Sequence, residues 1–152
     1  MGQRSVARLL SRYLPLIVWL AFIFVASSDN FSANNTSRII GPLVLWLFPN
    51  TSPETLAVIH LIVRKIAHFT EYAILAYLAA RAFRTSSHPA LANHWLLAAF
   101  ALVVAYALLD EYHQSFVPSR TASIYDSFID MSGGLVALVA LRHRGRSRSA
   151  LQ

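Results

Sequence analysis

The sequence predicts an all-α membrane protein: a four-helix transmembrane bundle with a short interfacial or re-entrant helix between spans 1 and 2. Three observations predict it. The 152 residues are 56% hydrophobic and only 13% charged, against about 45–50% and about 25% for a soluble domain. The apolar residues gather into long runs, and the charges stand at one end of each run. The chain has no cysteine, which excludes a disulfide scaffold, a thiolate nucleophile, a Cys-ligated zinc finger and an iron–sulfur cluster. Only His, Asp and Glu remain as metal ligands. A pI near 10.3 would suggest nucleic acid in a soluble protein. Here the basic residues flank apolar runs, as they do in membrane proteins, so no nucleic-acid partner is expected. The length fits a single domain, residues 1–152.

The first span, residues 13–28, contains the uncharged run LPLIVWLAFIFVA behind Arg4, Arg8 and Arg12. A cleaved signal peptide is its competing reading, with the arginines as a basic leader and Ala26-Ser27-Ser28 as the cleavage site. The segment Ile39–Phe48, with Gly41-Pro42 near its start, is too short to span and reads as an interfacial or re-entrant helix. Ser52 and Pro53 then fit as the cap and first turn of a following helix. The second span, residues 60–83, is helical by periodicity but carries Arg64, Lys65, His68 and Glu71. The third, residues 95–109, is uncharged and ends at Asp110. The fourth, residues 124–141, carries Asp126 and Asp130 in its first half and GGLVALVAL in its second. The tail RHRGRSRSALQ reads as a cationic anchor, disordered at its end.

Charge sets the expected orientation. With a cytoplasmic N-terminus, Arg4, Arg8, Arg12, Arg81, Arg84, Arg142, Arg144, Arg146 and Arg148 all fall inside, and none of the 7 acids joins them. This is the positive-inside asymmetry of a membrane protein with both termini cytoplasmic.

Depth and helical spacing then predict a polar layer. At about 1.5 Å per residue, His68 lies about 20 Å above Arg81 and Asp130 about 18 Å above Arg142. Lys65 and Asp126 share a level at roughly 24 Å by the same arithmetic. His68 is i+4 from Arg64 and i−3 from Glu71, and it shares a second stripe with Lys65 and Tyr72. Asp126 and Asp130 are i, i+4 neighbours, and Gly133-Gly134 below them would let another helix approach closely. Two carboxylates at that spacing repel unless a cation intervenes, with Arg64, Lys65 and Arg120 as candidates. The expected arrangement packs the second span against the fourth, with Arg120 at the mouth of the cluster.

The motifs RKIAHFTEYAILAYLAAR (64–81), DEYHQSFVPSR (110–120) and YDSFIDMSGG (125–134) resemble, in that order, those of the VanZ-like family of small polytopic bacterial membrane proteins. The resemblance runs from about Thr55 to Leu141. It places the pattern Lys-x-x-His-Phe-x-x-Tyr on Lys65, His68, Phe69 and Tyr72, a Glu-x-x-Gln…Arg element on Glu111, Gln114 and Arg120, and an Asp-x-x-x-Asn-x-x-Gly element on Asp126, Asp130 and Gly133. Asp130 stands where Asn is common, Ser119 where a glycine often precedes the loop arginine, and Ala137 where a further glycine is expected. The resemblance implies low-level tolerance to glycopeptide antibiotics of the teicoplanin type in some members. It implies no particular reaction.

The candidate binding set is therefore Arg64, Lys65, His68, Glu71, Tyr72, Asp110, Glu111, His113, Gln114, Arg120, Asp126 and Asp130. Its ordinary alternative is a salt-bridge network that fixes helix register, with DEYHQSFVPSR a polar interfacial turn stopped by Pro118. Intramembrane ionisable residues favour a pocket. His113 with Asp110, or His68 with Glu71, has metal-ligand spacing, but neither pair has a second clear histidine, so neither a metal nor a cofactor is expected. No GxSxG, phosphate loop or HExxH is present, and no nucleophile can be named. The expected function is binding of an anionic or amphiphilic envelope headgroup, with membrane lipids or lipid-linked envelope molecules as partners. The alternative is an intramembrane hydrolase or transferase acting on a lipid-linked envelope substrate.

Overall fold

The computed structural model describes residues 3–28, 33–117 and 123–149, and within them every regular element is helical. In chain order these are α1 (Gln3–Ala26), α2 (Ala33–Leu47), α3 (Pro53–Arg84), α4 (Pro89–Asn93), α5 (Trp95–Gln114) and α6 (Ile124–Ser149). Three of them, over Val6–Ala26, Trp95–Gln114 and Ile124–Gly145, are long and apolar enough to cross a membrane. Ser37–Leu47 forms a shorter apolar helix, where a segment too short to span was expected. The start of α3 is as the sequence dictates: Pro53 occupies the first turn, and the Ser52 side chain accepts from the Thr55 N–H. The Ser52 hydroxyl also holds the exposed Glu54 carboxyl below its ordinary range, helped by a backbone N–H.

α1 starts at Gln3, ahead of the expected residue 13, and the C-terminal boundaries of two further helices also differ from the sequence reading. α5 continues through Asp110 and Glu111 to Gln114, so the first part of DEYHQSFVPSR is helix rather than loop. Asp110 and Gln114 thereby become stacked i, i+4 neighbours. α6 continues from the expected end at Leu141 into the basic tail as far as Ser149; the end of the tail, where disorder was expected, lies outside the described residues. Arginine is a good helix former, and cations near a helix C-terminus are favoured by its dipole.

α3 is the central helix and packs against each of the other five. Its buried residues, His68, Tyr72, Leu75, Ala76, Ala79, Ala80 and Ala82, follow a three- and four-residue rhythm that makes one face. The matching stripe on α5 is Ala99, Val103, Ala107, Asp110 and Gln114. The interior is thus rich in alanine, while Leu, Ile, Val, Phe and Trp side chains such as Ile17, Val18, Trp46 and Leu97 lie outside. A water-soluble bundle would bury those large side chains. Small residues inside and large apolar ones outside suit helices that associate by close backbone approach in lipid.

Gly133 and Gly134 set that approach on two sides at once. A β-carbon at position 133 would run into the backbone of Phe69 on α3, and one at 134 would lie 2.6 Å from a Val103 methyl on α5. Adjacent helical residues point about 100° apart, so the pair serves two neighbours.

The ends of the bundle differ chemically. At one end, Arg12 donates to the Ser87 hydroxyl at 3.2 Å, Tyr13 and Ser86 share a 3.0 Å hydrogen bond, and the Arg84 guanidinium lies 4.9 Å from the Trp95 ring centre. Along the middle, the Trp19 indole donates to the Glu71 carbonyl at 2.9 Å and the Tyr106 hydroxyl to the Leu20 carbonyl at 2.5 Å. These tie α1 to α3 and α5. At the other end each buried stripe turns polar.

Candidate polar site

The polar end of the interior is built from the first half of α3, the last turn of α5 and the first turns of α6. Its buried polar residues there are His68, Asp110, Gln114, Asp126, Ser127 and Asp130. α3 supplies Lys65 and His68 one turn apart, and α6 supplies Asp126 and Asp130 one turn apart. Because the two helices lie side by side, the steps match. Lys65 forms an ion pair with Asp126, and His68 Nδ1 lies 3.3 Å from Asp130 Oδ1.

The two rungs differ in environment. The Lys65 side chain keeps 31% of its surface exposed, whereas that of Asp130 keeps 2%. The outer rung is therefore a solvent-touching ion pair and the inner one is dry. The inner contact is also not a hydrogen bond: His68 Nδ1 and Asp130 Oδ1 are both buried and lack a hydrogen-bond partner among the described residues.

α5 closes the third side. Gln114 Nε2 donates to Asp110 Oδ2 at 2.9 Å, a contact made possible by the helix continuing past Leu109. His68, Asp110 and Asp130 each bring one donor atom to within 4.8 Å of the others. Neither metal-ligand pairing suggested by spacing along a single helix, His113 with Asp110 or His68 with Glu71, is this group. It draws one residue from each of α3, α5 and α6.

The other candidates fall around this core. The Tyr72 hydroxyl donates to the Tyr106 carbonyl at 3.4 Å, one turn inward from His68. Glu71 is half-buried, and Glu111 accepts from the Ser123 N–H ahead of α6. The His113 ring stacks on Phe24 at 4.5 Å between centroids, and its buried Nδ1 has no hydrogen-bond partner among the described residues. Arg64 is half-buried, with Nε and Nη2 equally unpartnered among them. Arg120, expected at the mouth of the cluster, lies outside the described residues.

Two contributors escaped the sequence reading. Ser127 is fully buried and its hydroxyl donates to the Ala107 carbonyl at 3.4 Å. Its place beside Asp126, on the same stripe as Asp130, was the available signal. The Trp19 indole is a donor to α3, and nothing in its spacing announces that.

Beside the outer rung, α3 and α6 leave a groove of about 470 Å³ lined by Leu61, Ile62, Lys65, Ile66, Phe69, Ile129 and Ser132. Its walls are almost entirely hydrocarbon, and Lys65 is the charged residue among them.

No curated protein and no solved structure matches the chain. A family description does: the VanZ/LLP1 family matches residues 13–144, a stretch that contains α3, α5, the bulk of α6 and every residue of the polar end. With that match over most of its length, the chain belongs to the VanZ/LLP1 family.

Proposed function

We propose that this protein crosses a bacterial cell membrane four times, with both termini cytoplasmic, and that its outward polar end binds the anionic headgroup of an envelope amphiphile. The observation that carries the reading is the groove: largely hydrocarbon walls between α3 and α6 with Lys65 among the lining residues. An acyl chain suits the walls, and the ammonium, with donors to spare beyond Asp126, suits a phosphate or carboxylate. Arg64, the neighbour of Lys65, adds guanidinium nitrogens that have no partner among the described residues, and Arg120 belongs to the same motif set.

The four-span part of the reading adds α3 to the three apolar helices. At 32 residues it is about 48 Å long, more than a bilayer requires. The charges within the first half of its span, Arg64, Lys65 and Glu71, are half-buried, and Lys65 pairs with Asp126 of α6, as charges within a span should pair or face the interior. Tolerance to glycopeptide antibiotics would follow if the captured headgroup belongs to an envelope precursor.

The test is retention of lipid by the full-length protein in nanodiscs of mixed phosphatidylglycerol and phosphatidylcholine, read by native mass spectrometry. Preferential retention of phosphatidylglycerol, lost in Lys65→Ala, supports the reading. Equal retention of both lipids counts against it. The second reading, a hydrolase or transferase acting on a lipid-linked substrate, draws on the buried imidazole set between two carboxylates. Conversion of a retained envelope lipid during incubation would favour it.

A further inference from the structure

We propose that His68, Asp110 and Asp130 bind one divalent transition-metal ion of the zinc class between α3, α5 and α6. The three donor atoms lie within 4.8 Å of one another, and all three residues are buried.

The second observation is the orphaned pair at the centre of the group. Asp130 Oδ1, on a side chain only 2% exposed, lies 3.3 Å from His68 Nδ1, yet neither atom has a hydrogen-bond partner among the described residues. A buried carboxylate oxygen without a donor is costly. Two lone-pair atoms that are near each other but not aligned are arranged as two ligands of one ion. Tetrahedral zinc with bonds of about 2.0–2.2 Å sets neighbouring donor atoms about 3.3–3.6 Å apart, and the His68–Asp130 separation of 3.3 Å meets this.

Charge balance points the same way. Lys65 compensates Asp126, and no Lys or Arg of the described residues forms a salt bridge with Asp110 or Asp130. A divalent ion neutralises both carboxylates, with a neutral imidazole as the third ligand. The imidazole argues against magnesium and calcium, which take oxygen ligands, and suits zinc and its transition-metal neighbours.

Gln114 is the positioning residue. Its amide holds Asp110 Oδ2 at 2.9 Å and so orients the other carboxylate oxygen, the part such outer partners play around metal ligands. Three protein ligands leave one tetrahedral position for water, the open arrangement of reactive zinc sites.

The test uses the full-length protein in detergent, stripped with a chelator, equilibrated with Zn²⁺ alone and desalted before elemental analysis. One zinc ion per chain is expected, lost in Asp130→Asn and in Asp110→Asn and kept in Glu54→Gln. Gln114→Ala should weaken zinc affinity roughly 10- to 100-fold. A measurement that needs no variant is the visible spectrum of the wild-type protein loaded with Co²⁺, where the intense bands of a tetrahedral site are expected. The proposal is overturned if the wild-type protein retains no zinc, or if Asp130→Asn retains as much. The latter would put the ion on exposed histidines such as His88 and His94. Should the aspartate variants not fold, the cobalt spectrum and Gln114→Ala decide: octahedral bands with unchanged affinity also overturn it. Because no lipid enters these measurements, loss of the metal site and loss of headgroup binding remain separable.

Discussion

Arg81 of α3 donates to the carbonyl oxygen of Ser11 in α1 at 3.2 Å, and that carbonyl is the one left without its helical donor by Pro15. Proline has no N–H, so the carbonyl four residues before it loses its intrahelical bond. A guanidinium from the neighbouring helix replaces it, turning a local defect into a contact between helices.

This pairing predicts a measurable coupling. Arg81→Gln should destabilise the bundle by about 0.5–1.5 kcal/mol, the net worth of one hydrogen bond, and toward the low end because both groups are exposed. In a Pro15→Ala background the backbone regains an N–H at this position, and that N–H can reclaim the Ser11 carbonyl, so the same substitution should cost less. A double-mutant cycle followed by thermal unfolding in detergent checks this. Equal costs in both backgrounds would mean that the arginine does not serve the proline.

The two glycines of α6 give a second prediction. Gly133→Ala forces a β-carbon against the Phe69 backbone, 2.9 Å from its carbonyl carbon, and helix backbone cannot turn aside as a side chain can. A loss of about 1–3 kcal/mol or more is expected, the cost of overpacking. Gly134→Ala meets the Val103 methyls instead, which shift more easily, and should cost less. Gly145→Ala meets nothing within 4 Å and should be neutral or slightly stabilising. Thermal unfolding of the three variants should rank them in that order, and an unchanged Gly133→Ala would contradict the close α3 to α6 contact.

What was legible beforehand follows from which signals are local. The Ser52-Pro53 start of α3, the short apolar segment around Trp46 and the shared stripes of Lys65, His68 and Tyr72 depend on spacing along one helix, which a sequence displays directly. The depth arithmetic that set Lys65 level with Asp126, and His68 level with Asp130, needed only a constant rise per residue and anchors at the basic end. Asp110 stood in the candidate set, but its place beside His68 was hidden for a different reason. Whether it joined His68 depended on α5 continuing past Leu109 and on how α5 is rotated against α3, and rotation about a helix axis is fixed by packing. The same applies to Trp19, whose indole finds the Glu71 carbonyl only once α1 is docked. Pro15 was visible in the sequence, but its compensation by Arg81 belongs to the tertiary structure.

The polarity of the bundle predicts its orientation. Arg12, Tyr13, Ser86 and Ser87 meet at one end, so the start of α1 and the turn after α3 lie on the same side. A reporter placed in the Ser86–His88 turn and one fused after Gln152 should both report cytoplasm, and one inserted at Asn34–Thr36 should report the exterior. An external signal from the C-terminal fusion would refute the four-span reading.

The outer rung separates a binding role from a purely structural one. Lys65→Ala removes the partner of Asp126, which is 8% exposed, and an uncompensated buried carboxylate is strongly unfavourable. Because Lys65 itself is partly exposed and water can reach the gap, the expected loss is about 1–3 kcal/mol rather than the larger cost of a fully dry pair. Replacing Lys65 by Met together with Asp126 by Leu strands neither charge, and swaps of buried pairs for apolar residues are often neutral or stabilising. The double variant should therefore insert and unfold near the wild-type temperature. If the rung only fixes helix register, it should also keep lipid retention and any antibiotic tolerance. If the Lys65 ammonium holds a headgroup at the end of the groove, the double variant should stay folded while its preference for phosphatidylglycerol over phosphatidylcholine disappears. We expect folding retained and preference lost, as measured by thermal unfolding and native mass spectrometry on one preparation. A double variant that is stable and keeps the preference would remove Lys65 from the binding site and leave the pair as a packing element between α3 and α6.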